Sequence, residues 1–136
     1  MKNRNLNNND NWKTPKDLYD MLNKEFHFDF DPCPLYSKFD GLKREWGGSN
    51  FVNPPYSRKL KEAFILKAFE EYKKGKIIVM LLPVSTSTKI FHDIILPNCE
   101  IRFIRGRIKF EGINTFGKLV NNKCDMHDSM ICIFKK

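Results

Sequence analysis

The sequence predicts an α/β domain in which helices flank a largely parallel β-sheet. Two observations predict it. Strand-like and helix-like segments alternate along the 136 residues, and residues 77–82 form a nearly continuous apolar run, as expected for a parallel strand covered on both faces. Hydrophobic residues make up 41% of the chain, enough for one core. We therefore expect a single domain over residues 12–136, preceded by a disordered polar tail at residues 1–11.

The first predicted elements are a helix and a strand. Thr14 is expected to cap the helix, with Pro15 at its first position, and apolar residues follow at helical spacing. Between residues 26 and 31 the apolar period changes to two, with three phenylalanines on one face, which predicts a strand. Pro32 ends this strand because proline cannot donate to a ladder.

Prolines and a glycine mark the boundaries of the next elements. Residues 50–53 form a short predicted strand that Pro54 halts, and Ser57 is expected to cap a helix that Gly75 ends. The apolar run at residues 77–82 is the next strand. The remaining predicted elements are a helix at residues 87–96, a strand at residues 100–104, a basic strand around residues 105–109, a polar loop at residues 112–128 and a strand at residues 130–134.

The charge balance indicates an anionic partner. Lysine and arginine number 24 against 16 aspartate and glutamate residues, which leaves a formal net charge of +8. On a small domain this excess favours a polyanion, with nucleic acid ahead of an anionic membrane surface. No apolar run is long enough to span a bilayer, and the polar start lacks a signal-peptide pattern. We expect a soluble cytoplasmic protein, in the host cytoplasm if the gene is carried by a phage.

The four cysteines show no CxxC pair and are expected to be reduced thiols. Cys124, His127 and Cys132 could in principle hold a metal ion. However, they adjoin a strand-like run and no fourth ligand lies nearby in sequence. No metal site is therefore expected.

Polar residues follow two of the predicted strands and suggest a ligand site. Asp31 of "FDFDPCP" and Asn53 of "FVNPPYS" both lie at strand ends, and parallel sheets bind ligands beyond the carboxyl ends of their strands. The segment between them is long enough for one compact crossover, so these strands are expected to be parallel neighbours. The two side chains should then lie at one edge of the sheet.

The two prolines after Asn53 stiffen the backbone and remove donors. Pro54 confines Asn53 to an extended conformation, and Pro55 fixes the next backbone torsion. The segment then presents two acceptors, the Asn53 side-chain oxygen and the Pro54 carbonyl, beside the ring of Tyr56. This set suits a flat ligand with an NH₂ group, such as adenine.

Two acceptors directed at an exocyclic amine can change its reactivity. The amine of adenine is a poor nucleophile because its lone pair is delocalised into the ring. Acceptors on both N–H bonds favour a tetrahedral nitrogen, whose lone pair can attack an electrophilic methyl group held in line. Positioning and electrostatics supply most of this effect. Tyr56 would stack on a base taken out of the helix.

These residues carry a family resemblance. Asn53-Pro54-Pro55-Tyr56 resembles the catalytic motif of S-adenosylmethionine-dependent amino-methyltransferases. The segments "NWKTPKDLYDML", "FDFDPCP", "DGLKREW", "FVNPPYS", "IIVMLLP" and "IRFIRGRIKF" resemble, in order, the phage-type (Dam-like) DNA N6-adenine methyltransferases over roughly residues 12–134. The resemblance implies an abbreviated Rossmann-like fold and transfer of a methyl group from S-adenosylmethionine to N6 of adenine in DNA.

The resemblance also implies roles for individual residues. The expected cofactor contacts are Trp12, Thr14, Pro15, Asp31, Pro32, Cys33 and Asp40. The expected DNA contacts are Ser57, Arg58, Ser85, Thr86, Arg105, Arg107, Lys109 and Phe110, together with the loop at residues 112–128. The chain has no room for a separate target-recognition domain, so we expect a short or loose recognition sequence, or help from a second subunit.

Other acceptors and a non-catalytic role stay open from the sequence alone. A related "NPPY" segment serves enzymes that methylate protein glutamine or RNA bases. The segment "DPCPLYS" has Pro and Cys where methyltransferases often have glycines. A DNA-binding partner subunit that has lost cofactor binding is therefore the non-enzymatic alternative.

Overall fold

The computed structural model describes residues 12–34, 39–55, 57–113, 119–124 and 128–136. For Trp12 and for residues 109–113 and 119–124 it describes the course of the backbone. The predicted tail at residues 1–11 and Tyr56 lie outside the described residues.

The described elements form two sheets with helices around the larger one. In chain order they are β1 (Trp12–Lys13), α1 (Lys16–Phe26), β2 (Ser49–Val52), α2 (Arg58–Lys73), β3 (Ile77–Pro83), a π-helical turn (Phe91–Ile95) continued by α3 (Leu96–Asn98), β4 (Cys99–Phe103), β5 (Lys109–Ile113), β6 (Leu119–Cys124) and β7 (Ser129–Phe134). The larger sheet has the order β2-β3-β7-β4 and the smaller one β1-β5-β6.

The α/β class is confirmed, but the expected predominance of parallel pairing is not. β2 pairs with β3 in parallel, whereas β7 is antiparallel to both β3 and β4. Consequently β2, β3 and β4 run in one direction and β7 runs against them. The apolar pattern of β3 correctly indicates burial on both faces, but it carries no information on the direction of a neighbouring strand.

Apolar side chains cover both faces of the larger sheet. We call these the α1 face and the α2 face, after the helix that packs on each. The α1 face holds Leu22, Phe26, Phe51, Val79, Leu81, Ile108, Ile131 and Ile133. The α2 face holds Val52, Phe64, Ile65, Ala68, Ile78, Met80, Leu82, Phe91, Ile95, Met130, Cys132 and Phe134 among others. Successive residues of β3 alternate between the two faces, as a pleated strand requires.

The start of α1 differs from the prediction. The helix begins at Lys16, with Pro15 at the cap position and no side-chain cap. Pro15 is thus one position earlier than expected, and Thr14 is not the cap. The hydroxyl of Thr14 instead accepts a hydrogen bond from Asn53 across the fold.

The strand predicted at residues 26–31 is reduced to one isolated bridge. α1 continues through Phe26, and His27 ends it with a left-handed φ of 52°. Phe30 alone forms a β-bridge, parallel to Asn50 of β2. The prediction that these two segments are parallel neighbours is confirmed.

The three phenylalanines do not share one face. Phe26 and Phe28 pack on the α1 face, whereas Phe30 packs on the α2 face. The change of face occurs between Phe28 and Phe30. Only Phe30 is bridged to β2, so the residues before it do not follow the pleat of the sheet and the period of two that the sequence suggests is broken.

In the second half, the strands at residues 100–104 and 130–134 are confirmed to within one residue as β4 and β7. Within the helix predicted at residues 87–96, residues 91–95 are π-helical. Arg105 and Arg107 lie in a bend around Gly106 (φ 77°), not in a strand. The predicted loop at residues 112–128 contains β6 and the end of β5. Its polar sequence hid these strands, since they pair with distant β1 and with each other.

A buried carboxylate connects α2, β3 and the segment that leads to β2. Glu71 is fully buried and contacts the ammonium groups of Lys67, Lys74 and Lys76. It also accepts the backbone N–H of Trp46 at 3.1 Å. Burial opposes the charge of Glu71, but the bonds from Lys76, Lys74 and Trp46 prevail and lower its pKa to about 2. This cluster anchors the segment before β2.

Trp46 extends this anchoring to the edge of the sheet. Its indole N–H donates to the carbonyl of Gly41 at 2.7 Å. Gly41 in turn packs directly on Pro32, because a Cβ atom at Gly41 would lie 1.8 Å from the Pro32 carbonyl oxygen. The turn at residues 40–42 is thus held against the segment that follows Phe30.

Replacing Gly41 with alanine is expected to destabilise the protein by roughly 1–3 kcal/mol, because the new methyl group overlaps backbone that cannot move freely. Urea denaturation measures the change. Gly48→Ala is the matched control, since its Cβ would meet Asp29 Oδ2 at an ordinary 3.5 Å. Equal unfolding midpoints for the two variants would contradict the close packing of Gly41 on Pro32.

Candidate active site

The candidate site lies where Phe30 and β2 leave the larger sheet. Phe30 and Asn50 are parallel partners, so the residues that follow each of them emerge at the same edge. Asp31 follows Phe30 directly, and Asn53 follows the last residue of β2. The structure therefore brings the two predicted strand-end residues to one edge, as the sequence indicated.

Asn53 is oriented by a residue that is distant in sequence. Its amide nitrogen donates to the hydroxyl oxygen of Thr14 at 3.0 Å. Because the nitrogen is directed at Thr14, the carbonyl oxygen lies on the opposite branch of the amide. The contact unites a predicted cofactor residue with a predicted catalytic residue, and it places Asn53 on the side of β2 that carries α1.

A second asparagine in the same strand has a different environment. Asn50 is completely buried. Its amide accepts from Gly47 N–H at 2.9 Å and donates to the carbonyls of Gly47 and Ile77 at 2.8 and 3.1 Å. These bonds all join backbone groups, so Asn50 stabilises the start of β2. Asn53, by contrast, is half-buried at the sheet edge.

The proline segment after Asn53 is anchored in the protein. Pro54 and Pro55 are both buried, and Ser57 then occupies the cap position of α2 without a side-chain cap bond. A buried proline pair restricts the backbone on which Asn53 is carried. Tyr56 lies outside the described residues, so its predicted stacking role stays a prediction.

Asp31 has the most perturbed carboxyl group of the site. Burial raises its pKa to about 6, although its Oδ1 accepts the backbone N–H of Cys33 at 2.8 Å, which acts in the opposite direction. A carboxylate in such a poorly hydrated position favours a cation placed beside it. Asp31 thus fits a site for a positively charged ligand group.

Pro32, Cys33 and Asp40 lie around Asp31. Pro32 and Cys33 are buried, and Pro32 carries the close contact with Gly41. The Oδ1 of Asp40 accepts the N–H of Leu42 at 3.0 Å, so Asp40 shapes its own turn. This bond is compatible with a contact to a ligand at the same edge.

The smaller sheet adjoins the Thr14 side of the site. Trp12 and Lys13 of β1 pair with Gly112 and Glu111 of β5, and Thr14 follows β1 directly. The β5–β6 hairpin is therefore tethered beside the candidate site. Lys109 and Phe110 begin β5, and their side chains lie outside the described part of the chain.

The other predicted DNA contacts are spread over two regions. Arg105 and Arg107 are exposed in the bend before β5, where the Nε of Arg107 lies 3.7 Å from Asp128 Oδ1. Ser85 and Thr86 follow β3, half-buried and exposed respectively. Arg58 begins α2, and its side chain is 82% exposed.

A cleft of about 200 Å³ opens beyond the end of β3, on the α2 face. Its lining includes the predicted DNA contacts Arg58 and Ser85, together with Lys61 and Thr88, which the sequence did not single out. Burial lowers the pKa of Lys61, and nearby Arg58 acts in the same direction although Glu62 opposes it. The sequence could not single out Lys61 among the many lysines of α2, because its burial depends on the π-helical turn that packs across the cleft.

The part of the chain with assigned structure shows neither a cluster of metal ligands nor a membrane-spanning helix. It holds no group of three or more His, Cys, Asp or Glu residues arranged for a metal ion. The side chains of Cys124 and His127 fall outside that part, and Cys132 is buried in β7. None of the described helices is long and apolar enough to cross a bilayer.

Comparison with known proteins identifies a family. A family model described as DNA N-6-adenine-methyltransferase (Dam) matches residues 2–136. No curated protein matches the chain. The match covers both strand ends of the candidate site, the cleft and the β5–β6 hairpin.

Proposed function

The chain belongs to the DNA N-6-adenine-methyltransferase (Dam) family, and on that premise we propose that the edge carrying Asp31 and Asn53 is its active site, with S-adenosylmethionine as the methyl donor. The family assignment makes the protein an enzyme that methylates N6 of adenine in DNA. Of the alternatives left open by the sequence, it favours DNA as the substrate over RNA bases and protein glutamine. It also favours an enzyme over an inactive partner subunit. The common direction of β2, β3 and β4 supports an abbreviated Rossmann-like arrangement.

The observation that carries this assignment is the hydrogen bond from Asn53 to Thr14. It holds the side-chain amide with its carbonyl oxygen as the acceptor for one N–H of the adenine amine. The Pro54 carbonyl accepts the second N–H, and Tyr56 stacks on the ring. When N6 takes the methyl group, the bond between that methyl group and the donor sulfur would break, its electron pair would stay on the sulfur, and the donor would leave as a neutral thioether. Both acceptors would stabilise the positive charge that develops on N6, and one N6 proton would then leave to solvent.

The residues around Asp31 fit the donor. S-adenosylmethionine carries a cationic amino group and, when bound, supplies the electrophilic methyl group. Asp31 would hold the amino group, because a carboxylate whose pKa is raised by burial gains most from a cation. The remaining proposed cofactor contacts are Trp12, Thr14, Pro15, Pro32, Cys33 and Asp40.

The proposed DNA surface combines the exposed bend, the β5–β6 hairpin and the start of α2. Its proposed contacts are Ser57, Arg58, Ser85, Thr86, Arg105, Arg107, Lys109 and Phe110. The net charge of +8 supports it, since phosphate contacts supply most of the sequence-independent affinity for DNA. Help from a second subunit in target recognition is part of the same proposal.

Asp31→Asn is expected to stabilise the unliganded protein at pH 8 by about 1–3 kcal/mol, on the scale of about 1.4 kcal/mol per pKa unit. The folded pKa of Asp31, about 6, lies above its ordinary value of 3.8. The stability of the wild type attributable to this group is thus fully present below about pH 4 and is lost as the pH rises through 6. The two proteins should converge near pH 4 in urea denaturation.

The same substitution is expected to weaken S-adenosylmethionine binding at least tenfold by calorimetry, because the amino group loses its counter-charge. Wild-type affinity should rise with pH through the pKa of Asp31. Glu25→Gln is a control for the loss of one carboxylate, since Glu25 pairs with Arg102 on the surface away from the site. Unchanged cofactor affinity in Asp31→Asn would remove Asp31 from the site.

Mass spectrometry of nucleosides tests the proposed function as a whole. The purified protein is incubated with S-adenosylmethionine carrying a deuterated methyl group and with single-stranded or double-stranded DNA of random sequence. Labelled N6-methyladenine is the expected product. Its absence on both substrates, with the donor shown by calorimetry to be bound, would contradict the proposal.

A further inference from the structure

The cleft on the α2 face opens at the same end of the sheet as the candidate active site. Leu82 and Pro83 at the end of β3 are part of its wall. Val52, directly before Asn53, is paired with Met80 of β3. The proline segment follows β2 and the cleft lies at the end of β3. These two strands are neighbours about 5 Å apart, so the proline segment and the cleft lie at the same edge of the sheet.

The cleft and Asn53 lie on opposite faces of the sheet. Asn53 bonds to Thr14, which lies two residues before α1, and Phe51, two residues before Asn53, packs on the α1 face. The cleft is lined by α2-face residues, including Ile65 and Phe91. An adenine whose amine is held by Asn53 thus cannot also occupy the cleft.

The size and lining of the cleft restrict its ligand. At about 200 Å³ it is smaller than the roughly 300–1,000 Å³ of pockets that hold drug-sized ligands. One planar ring system fits this volume better than a whole S-adenosylmethionine. The buried part of the lining is apolar and consists of Ile65, Leu82, Pro83, Phe91, Ile95 and Met130.

The rim of the cleft is polar and cationic. Arg58 and Lys61 come from α2, and Ser85 and Thr88 come from the segment after β3. Glu62 also lines the cleft and lies 3.4 Å from the Nε of Arg58, so it orients Arg58 and adds an acceptor. An apolar floor for a flat ring, with cations at the mouth, matches a nucleobase and its phosphate.

We propose that the cleft receives the base of a nucleotide that flanks the target adenine, while Arg58 and Lys61 contact the phosphate beside it. This inference rests on the proposed function. The DNA strand would cross the sheet edge, with the target base on the α1 face and the flanking base on the α2 face. The enzyme would then bind a locally unpaired DNA strand. Its affinity for that strand would depend on a base other than the target adenine.

The proposal is tested by measuring the binding of abasic oligonucleotides to the wild type and to a variant whose cleft is filled by a larger side chain. A preferred single-stranded oligonucleotide is selected from a random pool by binding to the wild type, and each position is then made abasic in turn. One abasic position flanking an adenine is expected to raise the wild-type Kd about tenfold, the scale of one stacked base. Ser85→Trp, which fills the mouth of the cleft, should raise the Kd of the intact oligonucleotide similarly and remove the sensitivity to that abasic position.

Two further variants sharpen the result. Lys61→Met should lower the salt dependence of binding by about one phosphate contact. His92→Trp adds the same bulk at an exposed position of the neighbouring helical turn that does not line the cleft, and it should retain the full abasic sensitivity. Failure of Ser85→Trp to fold would leave Lys61→Met, combined with the abasic series, as the deciding measurement.

The outcomes separate this inference from the proposed function. Additive effects of Ser85→Trp and the abasic position, or no abasic sensitivity in the wild type, would overturn the cleft as a base site even if N6-methyladenine forms. Non-additive effects without any methylation would support the cleft while the proposed catalytic assignment fails. Loss of abasic sensitivity in His92→Trp would also overturn it, because the effect would not depend on the cleft.

Discussion

Replacing Asn53 with alanine is expected to lower kcat for adenine methylation on the order of 10²–10³-fold, the usual effect of removing one preorganised hydrogen-bonding group from a transition state. The side-chain acceptor for the amine is lost, and so is the bond that joins Asn53 to Thr14. Steady-state kinetics with saturating donor and DNA measure the change. Donor binding by calorimetry should stay within about threefold of wild type, since Asp31 is untouched.

Asn53→Asp provides the matched control for this prediction. A carboxylate keeps an acceptor at the same place, and the Thr14 hydroxyl can donate to it, so most of the activity should remain. Asn50→Ala, three residues earlier, should lower the unfolding midpoint. The Asn50 amide bonds to backbone groups of Gly47 and Ile77, and the substitution leaves these groups without that partner. If Asn53→Ala retains more than about a third of wild-type kcat, the amide does not act on the amine.

Replacing Glu71 with alanine is expected to cost about 3–5 kcal/mol of unfolding free energy, because it leaves the partly buried ammonium groups of Lys67 and Lys76 without their buried carboxylate. Its side chain is 1% exposed, and that of Lys76 is 15% exposed. The N–H of Trp46 would lose its acceptor as well. Urea denaturation at pH 7 measures the loss, which is a large share of the stability of an ordinary domain.

Glu70→Ala is the control in the adjacent position. The Glu70 side chain is 58% exposed and pairs with the equally solvated Lys73 at 2.9 Å, so its loss should cost at most about 1 kcal/mol. The contribution of Glu71 should also depend on pH. Its folded pKa, about 2, lies below the ordinary 4.5, so the stabilisation is complete above about pH 4.5 and is lost as the pH falls toward 2. Equal costs for the two variants would contradict a buried anchoring charge.

The anchoring of residues 40–46 has a functional consequence. Glu71 bonds to Trp46, Trp46 bonds to Gly41, and Gly41 packs on Pro32 beside Asp31. Contacts from the end of α2 thereby fix the position of the segment that carries Asp31, the proposed contact to the donor. We expect Glu71→Ala, where it still folds, to weaken donor binding as well as stability.

Local features of the chain were predictable wherever a short stretch determines them. The proline after Asn53 marks the end of β2, and the proline after Asp31 follows the isolated bridge at Phe30, since proline interrupts a ladder in any fold. α2 and the buried strand β3 follow from apolar spacing alone. The strand expected at residues 26–31 failed for a local reason too, because helix and strand patterns overlap at Phe26 and the helix prevails.

By itself, then, the sequence determined the α/β class, helix α2, the buried strand β3, the end of β2 at Asn53 and the segments that resemble the family. Only the tertiary structure decided that β7 runs against its neighbours, that Thr14 orients Asn53 instead of capping α1, and that a cleft forms between α2 and the π-helical turn. The physical reason is the range of the interactions. Burial period and proline geometry act within a few residues, whereas strand direction, the Thr14–Asn53 bond and the cleft depend on segments far apart in the chain that meet only after folding.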